Sequence, residues 1–143
     1  MPKRSDVIAE ARRWLGTPFH HQAQTCGLAT DCAGLICGVG LALGVMPELS
    51  HAERRYGRLP QPERMRGVIA KYLDPIEGEP RPGDVLYMGW SAGRPMHLGI
   101  LTGLHGRGII HAFADAGEVV ETKFPPHFEA LVDSWWKFRG LEE

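Results

Sequence analysis

The chain changes character at Arg81-Pro82-Gly83, and that change narrows the possible folds more than any other signal. Beyond it come five short apolar, β-branched runs at 84–88, 96–102, 108–114, 118–123 and 132–139, separated by Gly and Pro turns. That is the pattern of consecutive short strands. Ahead of it the patterns are helical. Val7, Ile8, Ala11, Trp14 and Leu15 share one stripe of a helix over 5–15, with Ser5 to cap it and Gly16 to end it. Residues 17–30 have no period and read as a loop. Asp31 then stands as N-cap before an apolar run that is fourteen residues long, 33–46. The glycines at 34, 38 and 40 let neighbours approach that helix closely, and each weakens it by up to about 1 kcal/mol relative to Ala. A third helix is expected over 62–73, with Pro62 in its first turn and Met65, Val68, Ile69 and Tyr72 inward. Helices first and strands second predict an α+β fold with a mostly antiparallel sheet of about five strands. At 143 residues the chain is expected to form a single domain, 1–143.

Charge excludes one class of partner. Lys and Arg number 16 against 17 Asp and Glu, so no basic excess exists to hold a phosphate backbone, and nucleic acid is not expected. No membrane association is expected either, because the longest apolar run is too short to span a bilayer. The start MPKRSDVIAEARRWLG has no apolar h-region, so synthesis in the cytoplasm without a signal peptide is expected. Cys26, Cys32 and Cys37 are spaced C-x5-C-x4-C, which matches no common zinc or redox motif. A metal site from His20, His21 and Cys26 is poorly supported by spacing, and no metal or cofactor is expected.

Cys32 is the candidate nucleophile. In the first turn of a helix a thiol sees the positive end of the dipole and free N–H groups, which favour thiolate and can stabilise an oxyanion. Asp31 opposes this by raising the thiol pKa. The competing reading is a small buried hydrophobe, which is how cysteines in apolar helices usually serve and which suits Cys37. A catalytic cysteine needs a histidine and a group to orient it. His51, His105 and His127 lie in polar, turn-like stretches, whereas His97 and His111 interrupt apolar strands on either side of a Gly-rich turn. A hairpin centred near Leu104 would set His97 directly opposite His111 on one face, with Cβ atoms about 5 Å apart. Cys32 is then expected to be the one fast-reacting thiol.

These residues resemble a known family. DCAGLI (31–36) looks like the Asp-Cys-Ser/Ala-Gly-hydrophobic signature of the NlpC-type cysteine peptidases of the bacterial cell wall. RRWLGTPF (12–19) resembles its helix end and lead-in, RPGDVL (81–86) its strand opening, and MHLGIL (96–101) and IIHAFA (109–114) its two His-bearing strands, in order. FHHQAQ (19–24) and DSWWKFRG (133–140) look most like the branch found in phage tails. The resemblance implies a minimal papain-like domain, with the cysteine helix packed on the antiparallel sheet. It implies Cys32 as nucleophile, His97 as general base and His111 orienting His97. Asp31, Phe19, His20 and His21 are implied as supporting or substrate residues. Phe19 stands where the family often has Tyr, so His20 or His21 is expected to supply a polar group. The implied substrate is a peptidoglycan stem peptide, cut next to a γ-D-glutamyl-diamino acid link. The alternative is a tail-tip assembly protein with weak or no activity, and phage-tail or particle proteins are implied partners that would carry the chain to the wall. Arg54, Arg55, Arg58, Arg64 and Arg66 are expected to grip stem-peptide carboxylates from a wall formed by 47–78.

Overall fold

The computed structural model describes residues 1–57, 61–91 and 93–142. Four α-helices and eight strands follow in the order α1 (Arg4–Arg12), β1 (Gln24–Thr25), β2 (Ala29–Thr30), α2 (Cys32–Ala42), α3 (His51–Arg54), α4 (Pro62–Tyr72), β3 (Leu73–Pro75), β4 (Val85–Gly89), β5 (Pro95–Thr102), β6 (Gly108–Phe113), β7 (Glu118–Lys123) and β8 (Val132–Phe138). The main sheet is antiparallel, with order β3-β8-β4-β5-β6-β7. It has six strands where about five were expected. The extra one is β3, which leaves α4 directly and carries no turn signal to announce it. No helix among the described residues is long and apolar enough to cross a membrane.

Strand alternation gives the sheet two buried faces. One carries Val85, Tyr87, Leu98, Ile100, Ile110 and Ala112 and packs on α1, α2 and α4. The other carries Leu86, Met88, Leu101 and Ile109 beneath Phe124 and Phe128. The α2 helix lies buried along nearly its whole length, and its glycines make that possible. A Cβ at Gly38 would collide with the ring of Trp14, and one at Gly34 with the Ala23 carbonyl. Burial against these neighbours offsets the helix propensity that glycine forfeits. The α1 helix is shorter than its apolar stripe. It ends at Arg12, and turns lead on to Gly16, whose φ of +82° suits a residue without a Cβ.

Asp84, in the RPGD segment, is buried and receives the Arg4 guanidinium and, at 2.7 Å, the Arg81 amide. It fixes the entry to β4, and β4 with β5 fixes the histidine strand.

Candidate active site

Asp31 caps α2 as its sequence position predicts. Its backbone is extended and its carboxylate accepts from the Gly34 amide at 2.8 Å. The same carboxylate accepts from the Gln22 amide at 2.8 Å and from the Tyr56 hydroxyl. A buried carboxylate with three donors is a joint: it ties residue 56 and the 17–30 segment, which holds the small β1–β2 hairpin and not only the expected loop, to the start of the helix. Nothing in the sequence connects position 56 to position 31, so Tyr56 escapes sequence reasoning.

Cys32 occupies the first turn, half-buried, with the backbone amides of Leu98, Ala33 and Cys32 itself drawing its pKa down. They are outweighed by burial and then by the Asp31 charge, which together push the thiol up to about 12. Burial and the Asp31 charge thus oppose the thiolate that the helix start favours. The exposed thiol is that of Cys26, and Cys37 is buried.

His97 and His111 come together as expected, their Nε2 and Nδ1 atoms 2.7 Å apart and both rings buried. The register differs from the expected one. Ile100 pairs with Ile110 and Thr102 with Gly108, so the hairpin centres on His105 and His111 falls level with Gly99. The imidazoles meet on the diagonal. Gly99 makes room for this, because a Cβ there would press on the Ile109 side chain and lie 3.4 Å from the Cβ of His111. The cause of the shift is the turn, where His105 adopts a positive φ of 52°, a conformation few non-glycine residues take. A shift of this kind keeps both rings on one face, the one shared with Met88, which pairs with His97.

Aromatic rings enclose the imidazole pair. Trp90 lies 4.8 Å from His97 and Phe113 stacks on His111 at 5.1 Å and 12°. Burial, then the neighbouring His111, holds His97 well below its usual 6.5, and burial lowers His111 to about 4. Both rings are neutral at neutral pH.

Cys32 and His97 line one cavity of about 530 Å3, together with Phe19, His21, Asp31, Tyr56 and Trp90. His111 sits behind His97, outside the lining. Among the described residues no hydrogen bond joins the sulfur to either imidazole, and the Nδ1 of His97 has no hydrogen-bond partner. Of the two lead-in histidines, His21 reaches the cavity, its Nε2 3.2 Å from the Tyr56 carbonyl. His20 does not; it is exposed, with Nδ1 3.1 Å from the His21 carbonyl. With Cys26 bonded to the Arg13 carbonyl at 3.4 Å, the His20, His21, Cys26 set points three ways. No cluster of metal-ligating side chains occurs among the described residues.

The 47–78 segment does form one wall, but mainly through apolar and tyrosine side chains. Its lining residues include Leu49, Tyr56, Met65, Val68, Ile69 and Tyr72, with Arg64 the one lining arginine of the five among the described residues. Arg66 is held by Asp133 at 2.6 Å, Arg54 and Arg55 are exposed away from the cavity, and Arg58 lies outside the described residues.

Known structures share this architecture. NlpC1 from Trichomonas vaginalis superposes with a TM-score of 0.64 at 17% identity, over 92% of this chain and 42% of that one. An NlpC/P60 family protein from Bacillus cereus gives a TM-score of 0.68 at 17% identity, over 96% of this chain and 40% of that one. The NlpC/p60 domain of the peptidoglycan hydrolase SagA gives 0.59 at 20% identity, over 95% of this chain and 99% of that domain. The chain has the NlpC/P60 fold. It spans less than half the length of the first two proteins and nearly all of the SagA domain. No family model matches the sequence, and no curated protein matches it. The small papain-like α+β architecture expected from the motifs is the one the chain adopts.

Proposed function

We propose that the chain is a thiol hydrolase of the NlpC/P60 type that cleaves an amide bond in peptidoglycan stem peptides. The observation that carries this reading is the cavity, where a helix-start cysteine and one member of a hydrogen-bonded imidazole pair share a wall in a fold common to a peptidoglycan hydrolase. Cys32 is the nucleophile, His97 the base and His111 the group that orients it. The fitting tautomer has His97 donating Nε2–H to the His111 Nδ1, which leaves the His97 Nδ1 free to accept a proton. Burial disfavours charge on both partners, so the reaction is written from the neutral thiol and the neutral imidazole. The His97 Nδ1 takes the thiol proton, and Sγ attacks the carbonyl carbon. The oxyanion forms beside the first amides of α2. The amide C–N bond then breaks, the His97 proton passes to the leaving amine, and water hydrolyses the thioester. The scissile bond we assign is the one next to a γ-D-glutamyl-diamino acid link. Purified peptidoglycan digested with wild type should release stem-peptide fragments, read by mass spectrometry, and Cys32→Ala should release none. Equal release by both, or none by either, overturns the assignment.

A second reading is favoured by two features: the raised thiol pKa and Phe19, which brings no hydroxyl to the site. In it the chain is a component of a phage-tail-like particle that keeps the fold without turnover. Thiol alkylation separates the two readings. In a hydrolase, labelling of Cys32 stops stem-peptide turnover; in a particle component there is no turnover to stop.

A further inference from the structure

The cavity extends well past the cysteine. From Cys32 it follows α2 to Cys37, about 7.5 Å along the helix axis. There α4 and the segment after α2 close it with Met46, Leu49, Met65, Val68 and Ile69. The ionic groups along this arm are already engaged. The Glu53 carboxylate accepts from the Tyr72 hydroxyl at 2.6 Å, the Lys71 ammonium at 3.1 Å and the Ser50 amide at 2.8 Å. The Arg64 guanidinium donates to the Ala52 carbonyl at 2.7 Å, and Asp31 holds its three donors. The opposite arm differs: His97, Trp90 and the exposed Asp115 line it. A substrate lying across Cys32 thus meets His97, the exposed Asp115 and the Trp90 and Phe113 rings on one side, and on the other a trench that is mainly aliphatic, with the Tyr56 and Tyr72 rings along it.

We propose that the trench between α2 and α4 binds an aliphatic chain of the substrate, so that the stem peptides or other amides cleaved fastest carry an aliphatic group beside the scissile bond. This rests on the cavity being the substrate site, but its binding test does not depend on turnover. The Cys32→Ala protein is titrated calorimetrically with straight-chain alcohols from butanol to dodecanol. Affinity should rise about fourfold per added methylene until the trench is full. Met65→Trp and Val68→Trp, each shown folded by circular dichroism, should end the rise at a shorter chain. Affinity that ignores chain length, or a rise that neither filled variant shortens, overturns the proposal.

The source of the chain is separated on wild type with octanoyl-, leucyl- and acetyl-4-nitroanilide. Faster cleavage of the octanoyl compound assigns a lipid chain, and faster cleavage of the leucyl compound assigns an aliphatic side chain. Preference for acetyl overturns the proposal. Alcohol binding without any turnover breaks the hydrolase reading and leaves the trench in place. Turnover without length-dependent binding does the reverse.

Discussion

Two buried polar centres flank the cavity, and they are built in opposite ways. Asp31 is saturated: two backbone amides and one hydroxyl satisfy its carboxylate, and they come from three separate parts of the chain. The His97–His111 pair has one internal hydrogen bond and aromatic walls, and among the described residues its two outer ring nitrogens, His97 Nδ1 and His111 Nε2, have no hydrogen-bond partner. Burial makes unmatched polar atoms costly, so a carboxylate kept only for architecture acquires every partner it can. A group that moves protons needs an open position, and the proposed base, His97, has one at Nδ1. The contrast fits the proposed roles, a joint at Asp31 and a proton-handling pair at His97 and His111.

The strongest way to break this contrast is to remove the working group. His97→Ala should lower kcat/KM for stem-peptide cleavage beyond the roughly 10²–10⁴-fold range of acid–base catalysis, because the thiol also loses its proton acceptor. His111→Ala should cost less. A His97→Ala enzyme with unchanged kcat/KM would place the base elsewhere.

The next effect is on stability. His111 is held at about 4 and His97 also below 6.5, so between those values the unfolded chain binds more protons than the folded one. Stability is therefore full above pH 6.5 and falls as pH drops from there towards 4, by on the order of 3 kcal/mol for His111 alone. Chemical denaturation across this window checks it. His111→Gln, which cannot titrate, should flatten the fall.

A smaller effect tests the helix that carries both Asp31 and Cys32. Gly38→Ala sets a methyl against the Trp14 ring and should cost about 1–3 kcal/mol, measured as a lower denaturation midpoint. A neutral result would mean that Trp14 moves away freely.

The smallest sharpens the electrostatic side. Asp31→Asn keeps a capping oxygen but removes the charge that helps raise the Cys32 thiol. Alkylation of Cys32 by iodoacetamide should become several-fold faster. In the wild type, exposed Cys26 should label before Cys32, the reverse of what the helix start alone leads one to expect.

Much of this was written locally in the sequence. Gly and Pro punctuation marks the ends of β4 to β8, and Asp31 announces α2, because each signal acts within a few residues. The histidine pairing was legible as to partner and face, since alternation along strands fixes the face. It was not legible as to register, which depends on His105 taking a left-handed conformation in a five-residue turn. Tyr56 was invisible because its partner is twenty-five positions away and its own segment has no period. The arginines of 47–78 misled for a related reason. A sequence displays charges, but only the packed chain shows that Asp133 has already claimed Arg66.

The strand order also carries a consequence for timing. β8, made last, lies between β3 and β4, and β4 holds the histidine strand β5 in register. Pairing β3 with β8 closes a loop of more than fifty residues, a contact of high sequence separation that forms slowly. Until residue 138 has left the ribosome, β3 has no neighbour and β4 has one open edge. A nascent chain therefore cannot complete the sheet until β8 emerges, whereas every described residue that lines the cavity, from Phe19 to Asp115, is made before it.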